Sequence, residues 1–157
     1  MEQYTRRPNL RIFGVPVLEN ESPASVENKV KSLIAECDIG IDVTSLDRMH
    51  RVGKKTSLAG VSTTKTQPII VRFTSFRDRT KFYKKRKDIK DRLKLGVSLD
   101  LTKVRYDLLK EARVIVESKG HIRFVYADVN CELRAFTSKG KHIKFDSIED
   151  LENISIF

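Results

Sequence analysis

Two cysteines, Cys37 and Cys131, are all the chain has. They stand far apart and form no CxxC pair, so both read as part-buried thiols and no disulfide is expected. No apolar run is long enough to cross a bilayer, and the N-terminus "MEQYTRRPN" has no apolar signal core. A soluble intracellular protein is therefore expected. The three histidines, His50, His121 and His142, keep no metal-ligand spacing with cysteines or carboxylates. A phosphate-cradling glycine loop and a nucleophile elbow are both missing. No catalytic residue, metal or cofactor is expected, and the scattered Asp and Glu suggest no nuclease.

Acids are also in short supply. The 157 residues carry 31 Lys and Arg against 21 Asp and Glu, a net charge of +10. The length fits one average domain or two small ones. The excess is concentrated between Arg77 and Lys94, where ten Lys or Arg meet three Asp, a net of +7. Like charges at that density repel, so the segment gains from an anionic partner. Nucleic acid is the first candidate and an anionic membrane surface the second.

Alternation and helical spacing give the order of elements. In "PNLRIFGVP" the apolar Leu10 and Ile12 alternate with Arg11 and Phe13, predicting a strand over Asn9–Val15. Ser25 can cap a helix from Val26 to Cys37, and Asp38–Asp42 reads as a turn. "SLDRMHRV", Ser45–Val52, is a second strand, with His50 a polar strand residue. Gly53–Gln67, rich in Gly, Ser, Thr and Lys, has no period and reads as a mobile loop. "PIIVRF", Pro68–Phe73, sends Ile69, Val71 and Phe73 one way and Ile70 and Arg72 the other. Ser75 can cap a helix over Phe76–Ile89, and "VSLD", Val97–Asp100, is a short strand. The order β-α-β-β-α-β is the ferredoxin-like plan of small nucleic-acid-binding domains, placed at residues 8–100. A second α+β module follows at 101–157. It has a helix capped by Thr102, Gly120 as its C-terminal glycine cap, strands "IRFVYA", "ELRAFT" and "HIKFD", and a last helix opened by the capping box "SIED". About 55 residues is small for independent folding, so this module is expected to lean on the first.

"RRPNLRIFGVP", "DRMHRVG", "PIIVRFTSFRDRTKFYKKRK" and "LDLTKVRYDLLKEAR", in this order, resemble the first open reading frame protein of LINE-type non-LTR retrotransposons. The tail from "LTK" to "EDLENI" is similar to the C-terminal domain those proteins share with the baculovirus few-polyhedra protein. The resemblance runs from about Arg6 to Ile154. It implies an RNA-recognition-motif (RRM-like) domain and a C-terminal domain that together bind single-stranded RNA and DNA and act as a nucleic-acid chaperone. The implied setting is a cytoplasmic ribonucleoprotein, with the nucleus as a second location. Family members usually trimerise through an upstream coiled coil. No heptad run is present here, so the chain is expected to be the nucleic-acid-binding part of a longer protein.

A standard RNA-recognition motif stacks bases on aromatics of its first and third strands. Here the exposed pair on the first strand is Arg11 and Phe13, and on the third Ile70 and Arg72. Such a face grips phosphates and stacks loosely, which predicts salt sensitivity and weak sequence preference. The candidate nucleic-acid-binding residues are Arg6, Arg7, Arg11, Phe13, Arg48, Arg51, Lys54, Lys55 and Arg72. To these are added Lys84, Lys85, Arg86 and Lys87 toward the end of the basic helix, and Lys103, Arg105, Lys110 and Arg113 on the second module's helix. The expected picture is a basic groove between the modules. The competing reading is a protein-interaction domain that docks a partner on Phe13 and Ile70, with the charge serving solubility or nuclear import through "KKRK".

Overall fold

The computed structural model describes residues 2–58 and 61–154. In chain order the elements are α1 (Glu2–Arg6), β1 (Asn9–Phe13), α2 (Pro23–Glu36), β2 (Leu46–Arg51), β3 (Thr56–Leu58), β4 (Val61–Thr66), β5 (Ile69–Phe73), α3 (Phe76–Lys84), α4 (Arg86–Leu93), β6 (Gly96–Leu99), α5 (Lys103–Val116), β7 (Ile122–Ala127), β8 (Leu133–Thr137), β9 (His142–Lys144) and α6 (Ile148–Glu152). The class is α+β, with antiparallel sheets. The chain divides into two compact units. One is Pro8–Asp100; the other joins the N-terminal segment up to Arg7 with the residues from Leu101 onward.

In the first unit, β2, β5, β1 and β6 form one sheet in that order, every neighbouring pair antiparallel. Alternation turns Leu10, Ile12, Ile69, Val71 and Phe73 to one face, each 2% exposed or less. Burial of such side chains stabilises by about 1.5–3 kcal/mol apiece. The helix α3 lies on this face, its Phe82 ring 5.6 Å from that of Phe73. Ile89 of α4 and Val30, Leu33 and Ile34 of α2 are buried as well. The same alternation sends Arg11, Ile70 and Arg72 to the opposite face.

Several boundaries differ from the sequence expectation. β1 stops at Phe13, not Val15, because Gly14 takes φ +93°, a conformation natural only to glycine. Ser22, not Ser25, caps α2: its Oγ accepts from the Ser25 N–H, and Pro23 occupies the first helical turn. Ser25 instead completes the capping box from inside the helix.

Gly53–Gln67 is not a loop. β3 and β4 pair as a hairpin, Thr56 opposite Thr66 and Ser57 opposite Lys65. The Lys65 carbonyl also accepts from the Val17 N–H at 2.9 Å. The β-branched run in "VSTTKT" favours extended chain, which its polar composition concealed. Residues 59 and 60 of that stretch lie outside the described residues.

The single basic helix expected over Phe76–Ile89 is two, α3 and α4, hinged at Lys85 (φ −86°, ψ 4°). Continued helix would stack like charges four apart, Lys81 on Lys85. At the break the Arg86 guanidinium donates to the Tyr83 carbonyl at 3.2 Å and lies 4.3 Å from the Tyr83 ring centre.

The second unit packs α5 and α6 on the sheet β7–β8–β9. Leu109, Ala112, Val125, Leu133, Ala135, Phe145 and Leu151 form its core. Thr102 caps α5 as its sequence suggests, its Oγ1 accepting from the Arg105 N–H. Gly120 is not the C-terminal cap. α5 ends at Val116, and the carbonyls of Ile115 and Val116 accept from Ser118 and Lys119 before the glycine is reached. Ser147 caps α6, but the Asp150 carboxylate reaches past it to the Asp146 N–H, so "SIED" makes half of a capping box. Among the described residues no helix is long and apolar enough to cross a membrane.

Candidate nucleic-acid interface

The register of the four-stranded sheet arranges the face opposite Phe73 in rows. Arg48 of β2 stands directly across from Arg72 of β5, which in turn faces Asn9 of β1. The next row is His50, Ile70, Arg11 and Ser98, and the last is Phe13 with Gly96. Arg48, His50, Arg72 and Phe13 are exposed. Three guanidiniums and an imidazole thus share one surface with a ring that is 40% exposed. Gly96, opposite Phe13, puts no side chain against the ring.

The three guanidiniums are not equally free. A bulge at the start of β2 brings Asp47 to 3.5 Å from Arg72, an exposed pair of the kind that contributes little. Arg11 donates from Nε to the buried Asp100 at 2.9 Å, and Asn9 donates to the other oxygen of the same carboxylate. Arg11 is therefore half tie and half surface. Arg48 keeps no ion pair among the described residues.

Arg51, also among the candidate residues, does not share this face; it stands across from Ile69. Its guanidinium binds both carboxylate oxygens of Glu21 at 2.9 Å and donates to the carbonyls of Val15, Pro16 and Gln67. Its donors are thereby committed to fastening the β1–α2 connection to β2. The hydrogen bonds from Arg51 hold the Glu21 carboxyl below the ordinary carboxylate range.

Lys84, Lys85, Arg86 and Lys87 are exposed where α3 meets α4. Because α3 covers the Phe73 face, this cluster and the Arg48–Arg72 row lie on opposite sides of the sheet. Arg79, counted in the basic run, is fully buried, its guanidinium 4.9 Å from the Phe76 ring and 5.9 Å from that of Tyr83. Lys54 and Lys55 are exposed at the foot of the β3–β4 hairpin.

In the second unit the predicted residues separate. Arg6 donates to the Leu101 carbonyl and Arg7 to Asn130, so both fasten α1. The Gln3 side chain accepts from the Thr102 N–H at 2.7 Å for the same purpose. Arg105 donates to the Cys131 carbonyl and lies 3.8 Å from Glu132. Arg7 and Arg105 line a cleft of about 400 Å³ with Glu132, which offsets part of their charge. Lys103 is paired with Asp107 at 2.8 Å, and that hydrogen bond raises its pKa. Lys110 and Arg113 are exposed.

"IRFVYA", "ELRAFT" and "HIKFD" form β7, β8 and β9, and they carry more than strand pairing. Their alternation gathers Phe124, Tyr126, Phe136 and His142 on the face of the three-stranded sheet away from Val125, Ala135 and Phe145. The spacing of Phe124 and Tyr126 was the available signal. Among the described residues no group of three His, Cys, Asp or Glu could hold a metal ion. No protein-family model matches the chain, and no curated protein matches its sequence.

Proposed function

We propose that this protein binds single-stranded nucleic acid, RNA first, by neutralising phosphates with limited stacking and little sequence preference. Its work is that of a chaperone, holding strands loosely enough for them to exchange partners. The observation that carries the reading is Arg48 set directly across from Arg72 on the sheet face that also bears Arg11, His50 and Phe13. Like charges placed opposite one another on neighbouring strands cost stability in the free protein. A phosphate between them reverses the sign of that cost, and Phe13 offers one base a stacking surface. The first unit holds 19 Lys and Arg against 11 Asp and Glu, a net of +8, so the background field favours a polyanion.

The strand order and directions of this sheet, with a helix between β1 and β2 and helices between β5 and β6, agree with the ferredoxin-like plan. With the resemblance of the sequence to LINE-type first open reading frame proteins, this supports an RRM-like domain whose ring-rich motif has been replaced by arginines. Docking of a partner protein on the same face has the exposed Phe13 and half-buried Ile70 in its favour.

Filter binding of single-stranded RNA, single-stranded DNA and duplex across a salt series tests the proposal. Single strands should bind more tightly than duplex, and log affinity should fall linearly with log salt. No binding of any strand at low salt would overturn it.

A further inference from the structure

We propose that the outer face of the β7–β8–β9 sheet is a second single-strand site, in which a nucleobase stacks on Phe124 and continues a row of rings already built into the protein. The inference rests on the nucleic-acid reading above and assigns a contact that reading lacks.

The row is set by strand register. Phe124, Phe136 and His142 are paired across three strands. Phe136 lies 5.0 Å from Phe124 at 29° between planes, and 4.7 Å from His142 at 36°. The rings therefore lean face against face across the sheet. Tyr126, one pair further along β7, braces both ends. Its ring is 5.9 Å from those of Phe124 and His142, and its hydroxyl is hydrogen-bonded to His142 Nδ1 at 2.8 Å. Such a row is ordered before any ligand arrives, which lowers the entropic cost of binding.

Phe124 is not part of the core. The residues between the rings, Val125 and Ala135, point the other way and are buried, whereas Phe124 remains 48% exposed. It sits on an edge strand among the described residues, where β7 pairs with β8 alone. Phe136 stacks against one side of the Phe124 ring, and the exposed half of Phe124 suits a further flat ring.

Charge decides which flat ring. Arg123 precedes Phe124 and Lys141 precedes His142; both are exposed, as is Lys139 in the turn between β8 and β9. Among the described residues no carboxylate pairs with these three. At the Tyr126 end Arg134 is held by Asp128 at 2.6 Å and Lys144 by Glu132 at 3.3 Å, so that end is balanced. Burial pushes the Asp128 carboxyl up, but hydrogen bonds from Arg134 and from the N–H groups of Glu132 and Asn130 outweigh it, so it stays charged. Free cations flanking an aromatic row suit a polyanion whose bases turn inward, and stacking on such a row is tolerant of sequence because every base has a π-face.

The test uses the whole chain with Phe124→Leu/Phe136→Leu, which keeps apolar bulk and removes the rings. The probes are a single-stranded RNA carrying 2-aminopurine, and heparin, a polyanion without bases. Wild type should quench the 2-aminopurine. The variant should lose the quench and about tenfold in RNA affinity, with an unchanged salt slope and unchanged heparin binding. Equal quench and affinity would overturn the site, as would a parallel loss of heparin binding. A wild-type chain that self-associates and becomes monomeric in the variant, with RNA affinity intact, would assign the rings to a protein interface and overturn it too. Wild type that binds no strand would instead remove the nucleic-acid reading itself. If circular dichroism shows the variant unfolded, Arg123→Gln/Lys141→Gln replaces it. That pair should lower the salt slope by about 1–2, and an unchanged slope would contradict the site.

Discussion

Arg48 and Arg72 face each other across β2 and β5, on the side of the sheet away from Phe73. Two guanidiniums so placed oppose folding slightly and favour an anion strongly. The nearest counter-charge, Asp47, lies 3.5 Å from Arg72 and is itself half exposed, so it screens one member of the pair weakly.

Arg48→Gln should therefore raise the stability of the free protein, by about 0.2–1 kcal/mol in urea denaturation, while weakening single-strand binding at every sequence tried. A variant that loses stability and keeps its affinity would place Arg48 among the structural residues.

Arg51 should behave in the opposite way. Arg51→Ala abandons the Glu21 pair and three carbonyls, and should cost about 2–3 kcal/mol of stability. With Glu21→Gln the deficit depends on pH. The Glu21 carboxyl is lowered in the folded protein by its hydrogen bonds from Arg51, so the unfolded chain binds its proton more readily. The stability it contributes is complete above its ordinary value near 4.5 and is lost as pH falls through the lowered folded value. The difference between wild type and Glu21→Gln should thus be constant near neutrality and shrink in acid. A difference that widens on acidification would contradict the assignment.

Much of the first sheet was legible because its core strands alternate cleanly: Leu10 and Ile12, then Ile69, Val71 and Phe73. The open-face residues Arg11, Phe13 and Arg72 follow from the same period. Arg51 was not legible, since its partner Glu21 lies 30 residues upstream and neither residue breaks a pattern. Arg79 read as one more cation in a basic run, although Phe76 and Tyr83 enclose it. The ring row was spread over three strands, and only their register brings it together. The β3–β4 hairpin was hidden because polar β-branched residues satisfy a strand as well as a loop.

Gly14→Ala should destabilise by about 1 kcal/mol or more. An added Cβ would come no nearer than 3.5 Å to Leu95 and the Lys94 carbonyl, an ordinary contact, so the cost is conformational, from φ +93°. Lys94 closes α4 in the left-handed region, at φ 60° and ψ 30°. Lys94→Gly should stabilise by about 0.5–1 kcal/mol, the relief of left-handed strain less the added freedom of the unfolded chain. Urea melts of the two variants should shift in opposite directions.

The most direct measurement is the salt dependence of single-stranded RNA affinity for wild type beside Arg48→Gln/Arg72→Gln. If the two arginines each displace a counterion, the slope of log affinity against log salt should become shallower by about 1.4, with stability intact. An identical slope in a folded double variant would show that the strand does not cross this face.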